Sequence, residues 1–135
     1  MFRCLCFLFP LLVLSVLRAQ SPDDPYNVIT PVQTQLDAYN TGDLDLFLSA
    51  YADSVRIYTF PDSLIMRGKE EMRERYGPMF AEQPDLQCRL VSRTVMGDRV
   101  VDHESVVRHR GEAATQVIAI YQVEDGLITE VRFLR

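Results

Sequence analysis

Long apolar runs are all but missing from this 135-residue chain. The one that occurs, Cys4 to Leu17 in "MFRCLCFLFPLLVLSVLRAQ", is too short to span a bilayer comfortably and contains Pro10. With Arg3 ahead of it and the small Ala19 behind it, the run reads as a secretory signal peptide, with cleavage expected near Ala19 or Gln20. Cysteine is scarce as well. Cys4 and Cys6 fall in the leader, so a mature domain of residues 21–135 keeps only Cys88, cannot form an internal disulfide and must rely on its core. Basic residues are also in deficit. Arg3 and Arg18 leave with the leader while every acid stays, so 12 basic residues face 19 acidic ones for a net charge of −7. That balance provides no footprint for a nucleic-acid backbone or an anionic membrane. There is no G-x-S-x-G, no phosphate-cradling glycine loop, no H-E-x-x-H and no Cys/His pair of readable spacing. Neither a metal nor a cofactor is expected.

What is present is one domain without repeats or internal linkers. Val28, Ile29, Val32, Leu36 and Tyr39 recur at helical spacing. Pro25 suits a first helical position, and Thr30, Pro31 and Gln33 form a second capping signal that predicts a restart or a kink. After Asn40-Thr41-Gly42, a short second helix is expected through "DLDLFLSAYA", with Leu44, Phe47, Leu48 and Tyr51 on one face. Beyond Asp53 the alternation through Thr59 predicts a strand stopped by Pro61, and "LIM" suits a brief strand. "GKEEMRERYGPMFAEQP" is rich in helix formers, with Gly77-Pro78 loosening its last turns. From Leu86 the period becomes two, giving strands near 86–96, 99–109, 113–123 and 127–134. Helices first and a meander last is an α+β pattern: a curved, mostly antiparallel β-sheet packed around N-terminal helices.

Four stretches, "AYNTGDLDLFLSAYADSVRIY", "GKEEMRERYGPMF", "MGDRVVDHESV" and "AIYQVEDGLITEVRFLR", carry a resemblance to the nuclear transport factor 2-like (cystatin-like) superfamily. Within it the chain resembles the SnoaL-like and ketosteroid isomerase-like branch. The resemblance implies a cone with an apolar pocket open at one end, and a homodimer. It also implies the places where an isomerase keeps its base, its catalytic Tyr and its protonated acid. In this chain those places hold Thr59, Gln35 and Ala119, and only Tyr76 matches a supporting position. The expectation that follows is a binding module for a small, largely apolar or carbonyl-bearing molecule. Two alternatives stand beside it: an isomerase- or hydrolase-type enzyme, and a dimerisation or partner-docking domain.

Of the candidate catalytic residues, His103 is taken to face into the cone with Ser105 and could serve as a general base, with Tyr76 beside it. The structural alternative is a hydrogen-bonded or exposed strand histidine. Asp102 and Glu104, on the opposite face, read as a solvated or arginine-paired row with Arg93, Arg108 and Arg132 nearby rather than as an acid/base pair. Arg75 suits an anionic or carbonyl-bearing ligand, or else pairs with Glu71 one turn away. The expected ligand-binding wall is Gln35, Tyr39, Thr59, Arg75, Ser105, Val117, Ala119, Tyr121, Val131 and Phe133. Tyr58, Phe60 and Phe80 are read as core or lining, and Cys88 as a buried thiol.

Overall fold

A computed structural model of the protein describes residues 25–135; the expected leader and its cleavage site lie outside the described residues. Helix α1 (Pro25–Thr41) leads into α2 (Leu44–Ser49), strands β1 (Tyr51–Thr59) and β2 (Ser63–Arg67), helix α3 (Gly68–Glu82), and strands β3 (Gln87–Met96), β4 (Arg99–Val107), β5 (Thr115–Glu124) and β6 (Leu127–Leu134). The six strands form one sheet in the order β2-β1-β6-β5-β4-β3. Only the β1–β6 pair is parallel; the other four ladders are antiparallel.

Local chemistry accounts for most boundaries. Asp43 caps α2, its carboxylate accepting from the Leu46 N–H at 2.9 Å. Asp125 (φ 51°) and Gly126 (φ 74°) both take left-handed backbone, the conformation a two-residue hairpin needs between β5 and β6. Gly68 opens α3 at φ +77°, and a Cβ there would sit 3.1 Å from the Asp53 carbonyl oxygen.

The prolines act less strongly than their sequence positions suggest. Helix α1 runs unbroken through Pro31, and α3 runs through Pro78 to Glu82. Each proline removes one helical N–H, but packing of the rest of the helix on the sheet holds the geometry. Tyr51 belongs to β1 rather than to the second helix, because the Ile128 N–H bonds the Ala50 carbonyl at 2.9 Å and pulls the chain into the parallel ladder.

The concave face of the sheet wraps the helices. Val32, Ala38, Phe47, Leu48, Val55, Ile57, Met72, Ala119, Tyr121 and Val131 form the main core, and Leu36, Leu86, Cys88, Val106 and Val117 form a second cluster toward the start of β3 and the end of β4. Phe47 is the hub of an aromatic group, its ring centroid 4.7 Å from Tyr76, 5.2 Å from Tyr51 and 5.4 Å from Phe80. Asn40 ties the end of α1 to β3, donating to the Cys88 carbonyl at 2.9 Å and accepting from the Cys88 N–H at 2.7 Å. This clamp places Cys88 and the strand beside it at the wall of a cavity.

Candidate functional site

The space left between α1, α3 and the sheet is a cavity of about 670 Å³, large enough for a small organic ligand. Leu36, Phe47, Met66, Met79, Val106, Val117 and Phe133 supply its apolar wall. The polar groups are few and arranged in two sets.

The first set is a buried relay. Tyr51 Oη donates to Gln35 Oε1 at 3.3 Å, Gln35 Nε2 donates to Tyr121 Oη at 3.1 Å, and Tyr121 Oη donates to Glu104 Oε1 at 3.0 Å. All four residues line the cavity. Glu104 is only 5% exposed, and burial pushes its carboxyl above the usual carboxylate range, aided by the nearby Asp102 charge. The hydrogen bond from Tyr121 works in the opposite direction by favouring the charged form. Burial likewise holds Tyr51 and Tyr121 well above the usual phenol value, so both remain donors. The Cys88 thiol beside Glu104 is raised by burial and then by that carboxyl, which leaves it an inert neutral group.

The second set consists of Tyr39 and Tyr76. Both line the cavity, and neither hydroxyl has a hydrogen-bond partner among the described residues. Burial raises Tyr39 and pushes Tyr76 up to about 12, against the lowering effect of Arg135, Arg75 and Arg108. Two protonated phenols are therefore free to donate to a ligand.

His103 is corrected by this geometry. It sits on the other face of β4, with Nε2 2.8 Å from Gln116 Oε1, and takes no part in the cavity. Ser105 shares that face and accepts from Gln116 Nε2 at 3.2 Å. Cross-strand neighbours share a face, and β4 pairs Asp102 with Ala119 and Glu104 with Val117, so the two acids and not the histidine turn inward.

The acids then part company. Asp102 is fully buried and takes a two-pronged hydrogen bond from Arg93, with Nε and Nη2 both at 2.7 Å. Arg93 also reaches Gln33 on α1 at 2.8 Å, so this pair pins helix to sheet. Glu104 makes no ion pair with an arginine among the described residues. Arg132 instead serves Asp62 and Glu130 at the other side of the sheet.

Gln35, Tyr39, Thr59, Arg75, Tyr76, Val117, Tyr121 and Phe133 are brought together around the cavity. Ala119 and Val131 lie on the same concave face but are sealed in the core without reaching the cavity. Tyr58 and Phe60 fall outside it too: Tyr58 stacks under Arg132 at 4.7 Å, and Phe60 is half exposed. Arg75 makes no ion pair with Glu71, whose carboxylate accepts from the Arg67 N–H at 2.7 Å. Sequence reasoning passed over Glu104 as a cavity residue; the available signal was that Val100 and Val106 share its parity.

A bent mixed sheet wrapped around helices, with a cavity at one end, defines a cone of the nuclear transport factor 2-like, cystatin-like class. The sequence profile of the SnoaL-like domain matches residues 32–131, and the chain belongs to that family. Three solved structures share the fold. A cystatin-fold protein from Novosphingobium aromaticivorans is 24% identical, with a TM-score of 0.72 over 81% of this chain and 97% of that one. A SnoaL-like protein from Burkholderia thailandensis is 20% identical, with a TM-score of 0.69 over 84% and 98%. An NTF2-like protein from Cytophaga hutchinsonii is 15% identical, with a TM-score of 0.66 over 79% and 88%. At these identities the likeness establishes the fold alone. No curated protein sequence matches the chain significantly.

Among the described residues, no group of three or more His, Cys, Asp or Glu converges as a metal would require, and no helix is long and apolar enough to cross a membrane.

Proposed function

We propose that the cavity binds a small, largely apolar carbonyl compound and moves a proton at the carbon next to the carbonyl, with Glu104 as the base. The observation that carries this reading is the placement of one buried carboxyl, held by Tyr121, in the same cavity as two unpartnered phenols. Proton abstraction beside a carbonyl needs a base at the C–H and donors at the oxygen where negative charge develops. Ionised Glu104 takes the proton, Tyr39 and Tyr76 donate to the enolate oxygen, and the proton returns to carbon. Burial strengthens the base by raising its pKa. The base stands on β4, whereas Thr59, exposed on β1, occupies the place where the resemblance puts an isomerase base.

Export of the chain, with a leader removed near Ala19 or Gln20, and pairing as a homodimer belong to the same proposal and rest on the sequence. The test is deuterium uptake at carbon next to the carbonyl in a panel of cyclic ketones and β-ketoesters, followed by NMR. Uptake that disappears in Glu104→Gln supports the reading. Tight binding of the same compounds with no uptake by the native protein removes the catalytic step and leaves a binding module.

A further inference from the structure

We propose that the natural ligand of this cavity ends in a carboxylate, which Arg75 and Arg108 hold at the mouth while the apolar body reaches inward. This names a ligand class for the site described above and rests on that reading of the cavity.

Among the described residues three arginines line the cavity, and they come from separate parts of the chain: Arg75 on α3, Arg108 just past the end of β4, and Arg135 just past β6. All three are exposed, which puts them at the rim. None lies within ion-pair distance of a carboxylate among the described residues. Arg108 rests against Met79, with Nη1 3.9 Å from Sδ, and Arg135 lies 5.7 Å over the Phe133 ring. Elsewhere the pattern differs. Arg56, Arg73, Arg93, Arg99, Arg110 and Arg132 all have acidic partners, and of the other described arginines outside the cavity, Arg67 and Arg89 make no ion pair and are exposed. In a chain with 19 acids against 14 basic residues, carboxylate partners are plentiful. Around this cavity they are withheld, and among the described residues Glu104 is the only acidic side chain in the lining.

The three guanidinium groups also act on one atom, since Arg135, Arg75 and Arg108 all lower the pKa of the Tyr76 phenol against its burial. A shared focus of positive charge beside an apolar wall suits an amphipathic anion. The planar guanidinium fork matches a carboxylate in particular. A phosphate fits less well, because Glu104 in the same cavity repels a dianion more than a monoanion. Arg108 and Glu104 are four residues apart along one strand line, roughly 13 Å between backbone positions at 3.3 Å per residue. A ligand that meets both therefore carries its carboxylate and its reacting carbon at opposite ends of a rigid or extended body.

The test is isothermal titration with 1-naphthylacetate and 4-(1-pyrenyl)butyrate, each beside its methyl ester, and with 1-naphthyl phosphate. The acids are expected to bind about tenfold tighter than their esters, with the difference falling as salt is raised. In Arg75→Gln/Arg108→Gln the acids are expected to weaken to the level of the esters, while ester binding and melting temperature stay unchanged. Equal binding of acids and esters to the native protein overturns the carboxylate assignment and keeps the cavity as an apolar site. A preference for acids that survives in the double variant overturns the role of these two arginines, and tighter binding of the phosphate overturns the choice of carboxylate. Failure of acids and esters alike overturns the proposal together with the cavity reading beneath it.

Discussion

The Tyr121 hydroxyl donates to Glu104 Oε1 at 3.0 Å across the concave face of the sheet, although Tyr121 directly opposes Val100 and it is Val117 that opposes Glu104. It couples a buried acid to Gln35 and Tyr51, and so to helix α1 and strand β1. One carboxyl thus ends a hydrogen-bonded chain that joins β4, β5, α1 and β1.

Glu104→Gln is expected to abolish proton transfer while stabilising the fold at higher pH. Because burial raises the folded-state pKa of Glu104 above its unfolded value, its contribution to stability is fully present below the unfolded pKa and is lost as pH rises through the folded pKa. Melting curves between about pH 4 and 8 should show the variant gaining on the native protein as pH increases. A constant difference over that range would mean that Glu104 titrates like an exposed acid.

Tyr121→Phe removes the hydrogen bond that favours the charged form of Glu104, so the carboxyl should protonate more easily. The acid limb of a pH–rate profile is expected to move to higher pH. Stability should drop by about 1 to 3 kcal/mol, since Gln35 Nε2 loses its acceptor. An unmoved limb together with lost stability would confine Tyr121 to a structural role.

Arg93 and Asp102 are expected to behave as a unit. Arg93→Met leaves the fully buried Asp102 charge without its partner and should cost about 3 to 5 kcal/mol in urea unfolding. Adding Asp102→Leu should recover much of that loss, because the uncompensated charge is then gone. Additive losses in the double variant would show that the two side chains stabilise the fold separately.

His103→Ala should leave ligand binding and any turnover intact and cost less than about 1 kcal/mol, as expected for a strand-surface histidine with a single side-chain partner. Loss of turnover with the fold retained would return His103 to the list of catalytic groups.

Asp43→Ala is expected to destabilise by about 1 kcal/mol through loss of the α2 cap, read by thermal melting, with no change in ligand preference.

Much of the architecture was legible in the chain because it rests on local rules. Helical spacing from Val28 to Tyr39 marked α1, Asp-Gly at 125 and 126 marked the last hairpin, and period-two alternation after Leu86 marked the meander. The sites of Pro31 and Pro78 were less decisive, since tertiary packing outweighed a local penalty. Strand parity was another matter. In "RVVDHESVV" both faces carry valines, so alternation by itself cannot say which face is inward. The β4–β5 register decided it by setting Glu104 against Val117, and a bulge in β3 between Leu90 and Ser92 let both Leu90 and Arg93 pair along the inward line of β4. The sequence by itself determined the order of elements and the α+β class of the fold. Only the tertiary structure turned Glu104 into a buried acid and gathered three arginines from separate elements around one cavity, because burial and charge convergence arise between segments distant along the chain.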